Sequence, residues 1–372
     1  MAIYILLFTL VIILGLLYDK VFEKSTASWL LLFAIILLVS LVSGFRDIGV
    51  GTDTSMYTID YFQAGEKLTF KQMFYNPENL DRGYLFLNYI ASLFGNGYWL
   101  GLFFTHLFIW TLLITAAAKF KKIDNYSLCL FIFIYLMIFY NRSLNYMRQS
   151  CAMSLVFLAY YYYVAKKWKK SISLVIFAIM FHSSAIISLL VPLFNVTVNI
   201  KNSKIKILTM LSLFIFMVLI TKVFNNLLQF GFEYGLFKDV YLDRYGSSTT
   251  TFRTGGFGKE TLLLFVLELL IIIDSWRKKY IDTIKFQFLL LLHIAYISMY
   301  SLTKISEYLY RNSYYFYLLD LFYVAYLLSI RKKKGYLYPV FILCLIICWY
   351  TYFIEGGACE TYPYTSKILN IM

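Results

Sequence analysis

Five short segments of the sequence carry residue types suited to chemistry on an anionic, hydroxyl-rich ligand. In Gly44-Phe45-Arg46-Asp47-Ile48-Gly49-Val50-Gly51-Thr52-Asp53, three glycines permit close backbone approach and an N–H nest for an anion. Arg46, Asp47 and Asp53 add one cation and two carboxylates; the plain alternative is a tight turn with a surface ion pair. In Asn141-Arg142-Ser143-Leu144-Asn145-Tyr146-Met147-Arg148-Gln149, helical spacing aligns Asn141, Asn145 and Arg148, and likewise Arg142, Asn145 and Gln149. This predicts a polar, cationic stripe entering an apolar run, with Arg148 at the boundary, where it either binds a ligand or snorkels to headgroups. His182, in Met180-Phe181-His182-Ser183-Ser184, has the side chain for a general base near neutral pH. His106 and His293 read as packing residues. Glu307-Tyr308-Leu309-Tyr310-Arg311 offers an i, i+4 ion pair, and Tyr308 and Arg311 share a face with Lys304. Tyr241–Ser248 contains Arg244 and Tyr245, a mix suited to sugar stacking or to anchoring at a membrane interface.

Arginine is the residue for bidentate capture of phosphate or carboxylate. No DxD, HExxH, Walker or paired Cys/His pattern occurs, so no metal, no cofactor and no nucleic-acid partner is expected. Five scattered cysteines make no disulfide framework. Glu268 and Asp320 lie inside apolar runs and must face protein or water.

The elements that must position these residues are membrane helices. Of 372 residues, 61% are hydrophobic and only 15% charged. Mean hydropathy is +0.70. Soluble domains carry about 25% charged residues, so a soluble enzyme, a disordered chain and a fibrous repeat are excluded. The apolar runs begin at Ala2–Tyr18, read as a retained first span. They predict an all-α polytopic membrane protein with roughly 10–12 transmembrane helices, some broken or re-entrant. One integral membrane domain, 1–372, is expected, with two long external loops, 44–83 and 222–259.

Short lysine-rich turns, such as Lys119–Lys122 and Lys166–Lys170, are assigned to the cytoplasm. Both Lys166–Lys170 and Lys201–Lys206 can lie there only if Ser171–Val198 goes in and returns. Its 28 residues span about 42 Å as one helix, too little for two full crossings. A break near His182 is therefore expected, inside protein or beside a wet cavity. The N-terminus, both long loops, Asn141–Arg148 and the C-terminal tail then face outward. The net charge of +14 divides by residue type. Seven of nine arginines (Arg46, Arg82, Arg142, Arg148, Arg244, Arg253 and Arg311) fall on the outward side. Lysine suffices for topology, so this bias points to an anionic ligand outside; the plain alternative is that these arginines pair with external carboxylates or lipid headgroups.

The motifs GFRDIGVGTDTSMY, NYMRQSCAMS, FHSSA and YLYRNSYYF occur in this order across most of the chain. Together they resemble the EpsG family of Wzy-like polysaccharide polymerases. The resemblance implies a GT-C-like membrane glycosyltransferase of the bacterial cytoplasmic membrane with an outward-facing active site. It would join oligosaccharide repeat units carried on undecaprenyl pyrophosphate, for O-antigen, capsule or exopolysaccharide. Membrane lipids, a flippase and chain-length regulators would be its partners. The family's arginines would map to Arg46, Arg148 and Arg311, and its FH motif to His182. On this reading Arg142, Gln149, Arg244, Tyr245 and Tyr308 support substrate binding, no metal is needed, and the base is His182, Asp53 or Asp47. The rival expectations are a flippase for the same lipid-linked sugars and a membrane O-acyltransferase.

Overall fold

A computed structural model describes residues 1–21, 27–75, 80–216, 219, 258–304, 309–330 and 335–371. Arg244, Tyr245 and Tyr308 lie outside the described residues. Among the described residues there is no strand, only an isolated bridge between Ser366 and Ile371. The chain is an all-α membrane protein, and it divides into two compact units, Met1–Ile186 with Leu328–Met372, and Ile187–Leu327.

The first unit contains α1 (Ala2–Val21), α2 (Ala27–Gly44), α3 (Ile59–Lys67), α4 (Phe70–Tyr75), α5 (Arg82–Ser92) and α6 (Tyr98–Lys121). It continues with α7 (Leu128–Tyr135), α8 (Asn141–Asn145), α9 (Met147–Val164) and α10 (Trp168–Phe181). A π-helical turn, Leu136–Tyr140, joins α7 to α8. The second unit contains α11 (Leu190–Val198), a helical stretch over 203–216, α12 (Lys259–Arg277), α13 (Thr283–Tyr300) and most of α14 (Tyr314–Ser329). α15 (Leu337–Trp349) returns to the first unit.

Among the described residues, five helical segments are long and apolar enough to cross a membrane: Ala2–Val21, Tyr98–Lys121, Leu128–Asn145, Thr283–Thr303 and Leu337–Glu355. Leu6, Leu30, Phe33, Leu343 and Ile347 lie on the surface of α1, α2 and α15, as side chains whose solvent is lipid do. α2 packs on α6 where Gly44 meets Phe103; a Cβ at Gly44 would stand 2.7 Å from the Phe103 Cβ. α9 packs between α6 and α10, and α5 bears on α3, α6 and α10.

Two helix breaks matter for the site. The first falls at His182, as expected. His182 is extended (φ −159°, ψ 119°), and a 3₁₀ stretch, Ser183–Leu189, follows it. The second was not expected. Tyr146 (φ −87°, ψ 53°) interrupts the helix between Asn145 and Met147. The continuous stripe expected over Asn141–Gln149 is therefore corrected to two short registers that meet at a bend.

At one end of the first unit, the loop after α2, the α8–α9 bend and the C-terminal tail converge. Asp47 N donates to Thr365 O at 2.9 Å and Gly51 N to Glu360 O at 2.8 Å. Asn141 Nδ2 donates to Thr361 Oγ1 at 2.9 Å, and Tyr364 OH to Val42 O at 2.6 Å. Tyr4, at the start of α1, donates to Thr361 O. At the other end, Lys121 pairs with Asp19 at 3.0 Å, and Asp19 accepts from Ser127 Oγ and from the N–H groups of Leu128 and Cys129. That carboxylate thus satisfies orphan donors at the N-terminus of α7.

Candidate anion site at the α8–α9 bend

Tyr146 breaks the helix, and the break frees the Leu144 carbonyl from its helical partner. Arg46 Nη2 reaches that carbonyl at 2.8 Å, and Thr54 Oγ1 donates to it at 3.3 Å. Arg46 also donates through Nε to Val50 O at 3.2 Å and through Nη1 to Ser43 O, and its Nη2 lies 3.3 Å from Met147 Sδ. It is only 1% exposed. Burial lowers its pKa, against the opposing pull of Tyr140 and Tyr84. A guanidinium engaged in this way holds the loop after α2 against the bend.

The loop geometry follows. Gly51 adopts φ +99°, and a Cβ there would lie 2.8 Å from Thr54 Oγ1 and 3.1 Å from Leu144 O. Its N–H and that of Asp47 are engaged by the tail carbonyls, so the anion nest expected of this glycine-rich loop is occupied by protein. The Asp47 carboxylate accepts from Lys367 N at 2.9 Å. Asp53 N donates to Asn145 Oδ1 at 2.5 Å, so Asp53 sits directly on the bend.

Arg148, on the α9 side of the bend, has a different set of partners from Arg46. Its Nη1 lies 2.6 Å from Asp81 Oδ2, with the two side chains 24% and 32% exposed. The guanidinium lies over the ring of Tyr57 at 4.1 Å and within 5.8 Å of the Tyr61 ring. Tyr57 belongs to the turn that begins after Asp53. Tyr61 OH accepts from Asp81 N at 2.9 Å and from Arg148 Nη1 at 3.4 Å. Burial pushes the Tyr61 hydroxyl up to about 12, with Arg148 pulling the other way. Its phenol is thus a neutral scaffold rather than a base.

Asp81 immediately precedes α5, and its carboxylate turns to Arg148 rather than capping the helix, so α5 joins the His182 break to the cluster. Gly83 packs on Phe181 and Met180, where a Cβ would meet Phe181 Cδ2 at 2.6 Å. His182 follows Phe181 directly, and its Nδ1 lies 2.6 Å from Ser184 Oγ. Arg82, between Asp81 and Gly83, is exposed. The structure therefore brings Arg46, Asp53, Arg148 and buried Gln149 to one bend, with His182 at the adjoining helix end.

The other expected residues that are described have partners of their own or belong to the second unit. Asp47 faces the tail. Arg142 donates to Ile138 O and lies 4.9 Å from the Tyr352 ring and 5.1 Å from that of Phe353. Arg311 belongs to the second unit, in the 3₁₀ turn Leu309–Ser313 before α14. Asp81, Tyr57 and Tyr61 were missed. Each is an ordinary residue of the long loop, and only its meeting with Arg148 gives it meaning.

The profile of the EpsG family, a Wzy-like polymerase family, matches residues 29–366. The chain belongs to the EpsG family. No curated protein and no solved structure matches it. As an EpsG protein it is a multi-pass membrane protein of Wzy-like polymerase type. The four motifs that carried the resemblance include the loop after α2, the bend and the His182 break, the segments that meet in the first unit.

Proposed function

We propose that this EpsG protein is a polysaccharide polymerase that joins undecaprenyl-pyrophosphate-linked repeat units at the outer face of the bacterial cytoplasmic membrane. In the reaction the bond between the sugar C1 and the pyrophosphate oxygen breaks. A hydroxyl of the next lipid-linked unit forms the new C1–O bond and gives up its proton. The leaving diphosphate gains negative charge, and preorganised guanidinium donors stabilise it selectively in the transition state.

The observation that carries this reading is Arg148. It is fixed by Asp81 and by the Tyr57 ring, yet a quarter of its side chain is exposed at the broken helix. Asp81 holds the charge in place, and an incoming diphosphate replaces that carboxylate with a better bidentate partner. Arg82 lies alongside as a second exposed cation. Arg46 acts through position: it holds the bend from which Arg148 projects. Arg311, Arg142, Arg244, Tyr245 and Tyr308 remain in the reading as donors or sugar contacts. The base is His182, Asp53 or Asp47; His182 is joined to the Arg148 cluster through Phe181 and Gly83. With guanidinium groups supplying the charge, glycosyl transfer needs no added Mg²⁺.

The test is analysis of surface glycan and lipid-linked intermediates in a deletion strain complemented with Arg148→Ala. Loss of long polymer, with single repeats accumulating on the outer leaflet, is the expected result. Accumulation on the inner leaflet overturns the reading in favour of a flippase. Intact repeats lacking an acyl group, with polymer length unchanged, overturn it in favour of an acyltransferase.

A further inference from the structure

The second unit contains a polar cluster that the anion site does not use. Glu268 lies mid-way along α12, His293 along α13 and Asp320 along α14. None is more than 1% exposed. His293 Nδ1 is 2.6 Å from Asp320 Oδ2 and 4.0 Å from Glu268 Oε2. One donor atom from each residue lies within 4.8 Å of the others, and no other such group of three or more occurs among the described residues.

Three facts set this cluster apart from a packed polar network. Tyr317 OH donates to Glu268 Oε1 at 3.2 Å, but Glu268 Oε2 and Asp320 Oδ1 have no hydrogen-bond partner. The orphaned Glu268 Oε2 is the same atom that faces His293 Nδ1. Among the described residues, neither carboxylate is paired with a lysine or arginine. Buried carboxylates in an apolar bundle are ordinarily paired or bound to a cation.

We propose that Glu268, His293 and Asp320 bind one divalent transition-metal cation of the Zn²⁺ type, which ties α12, α13 and α14 together. As metal ligands the two carboxylates and a neutral imidazole would together contribute −2, which a divalent cation cancels where low dielectric makes an uncompensated charge costly. The donor set is two oxygens and one imidazole nitrogen. This suits Zn²⁺, whereas Mg²⁺ and Ca²⁺ favour six or more oxygens. The orphaned Glu268 Oε2 gains a partner. Ligand bonds of about 2.0–2.2 Å require the His293–Asp320 pair to part by a fraction of an ångström to admit the ion. The cluster belongs to the second unit alone, and its role is to hold helices, independent of glycosyl transfer.

The experiment is metal analysis of the purified full-length protein in detergent, loaded with Zn²⁺ and desalted. About one zinc per chain is expected. Glu268→Gln and Asp320→Asn should each lower zinc occupancy at limiting metal by roughly tenfold or more, while Asp274→Asn, further along α12 and paired with Lys278, should leave it unchanged. X-ray absorption at the zinc edge of the loaded wild type should show nitrogen and oxygen ligands with a single imidazole. This measurement decides the matter even if the variants do not yield monodisperse protein. No zinc above that of an unloaded sample, sulfur ligation, or occupancy unchanged in the variants overturns the site. A wild type that holds no zinc but loses thermal stability on Glu268→Gln overturns it as well, leaving a hydrogen-bonded cluster only. None of these readouts depends on polymer synthesis, so the site and the polymerase reading stand or fall separately.

Discussion

Two arginines that meet the same bend, Arg46 from the loop after α2 and Arg148 from α9, have opposite surroundings, and their substitutions should separate accordingly. Arg46 is sealed among carbonyl oxygens. Arg46→Ala takes the guanidinium from the Ser43 carbonyl, leaves the Val50 and Leu144 carbonyls with Thr54 Oγ1 alone, and empties a buried space, at about 1–3 kcal/mol for each polar group left unmet. We expect a loss of about 3 kcal/mol or more, seen as a fall in detergent Tm that tracks the fall in activity. Arg46→Lys should not restore it, because one ammonium cannot reach carbonyls on both sides of the loop. Arg148 is part-exposed, and such ion pairs contribute about 1 kcal/mol or less. Arg148→Ala should therefore leave Tm within a few degrees of wild type while abolishing long polymer. Arg148→Lys keeps the charge but loses the planar stacking on Tyr57, and polymer yield should stay well below wild type. If the two alanine variants lose stability equally, the division between a positioning and a binding arginine is wrong.

At the scale of elements, the apolar runs and the His182 break were legible because they follow from composition and parity. The helix observed over Ala2–Val21 extends the expected Ala2–Tyr18 by three residues, and α13 begins one residue before the expected Ile284. The Tyr146 bend was not legible. Nothing in Asn145-Tyr146-Met147 is a helix breaker; the bend is held by partners distant in sequence, Arg46 and Asp53. The same limit hid the Glu268–His293–Asp320 cluster. Each residue was visible as a polar group in an apolar run, but the three sit on three helices, and no local spacing joins them. The anion nest failed for a related reason: the tail that fills it is more than three hundred residues away. The bend is testable through Gly51. Gly51→Ala forces a Cβ into a positive-φ position against Thr54 and the Leu144 carbonyl. It should cost about 1–3 kcal/mol in strain and displaced contacts, read as a lowered Tm. Gly49→Ala, where a Cβ meets nothing within 4 Å, should cost little. Equal effects at the two positions would mean that the loop does not clamp the bend.

At the scale of the whole chain, the two ends of the first unit test the charge argument. The segments that parity placed on one side of the membrane (the N-terminus, the loop after α2, Asn141–Arg148 and the tail) are bonded to one another. The lysine-bearing end of α6 meets the end of α1 and the start of α7 at the opposite pole. Parity reasoning and side-chain contacts share no assumption, so their agreement fixes which segments go together, although not which pole faces outward. Polymerisation of lipid-linked repeats outside the cell requires the arginine pole to be the outer one. In a Cys359→Ser background, which removes the half-buried tail thiol, Gly49→Cys lies in the arginine loop and Ile123→Cys lies exposed beside the lysines. An impermeant maleimide applied to intact cells should label Cys at 49 and spare Cys at 123, with both labelled once membranes are opened. The reverse pattern would place the guanidinium groups on the cytoplasmic side. Arg148 would then face nucleotide sugars rather than translocated repeats, and the polymerase chemistry would have to be abandoned even though the fold and the family assignment stood.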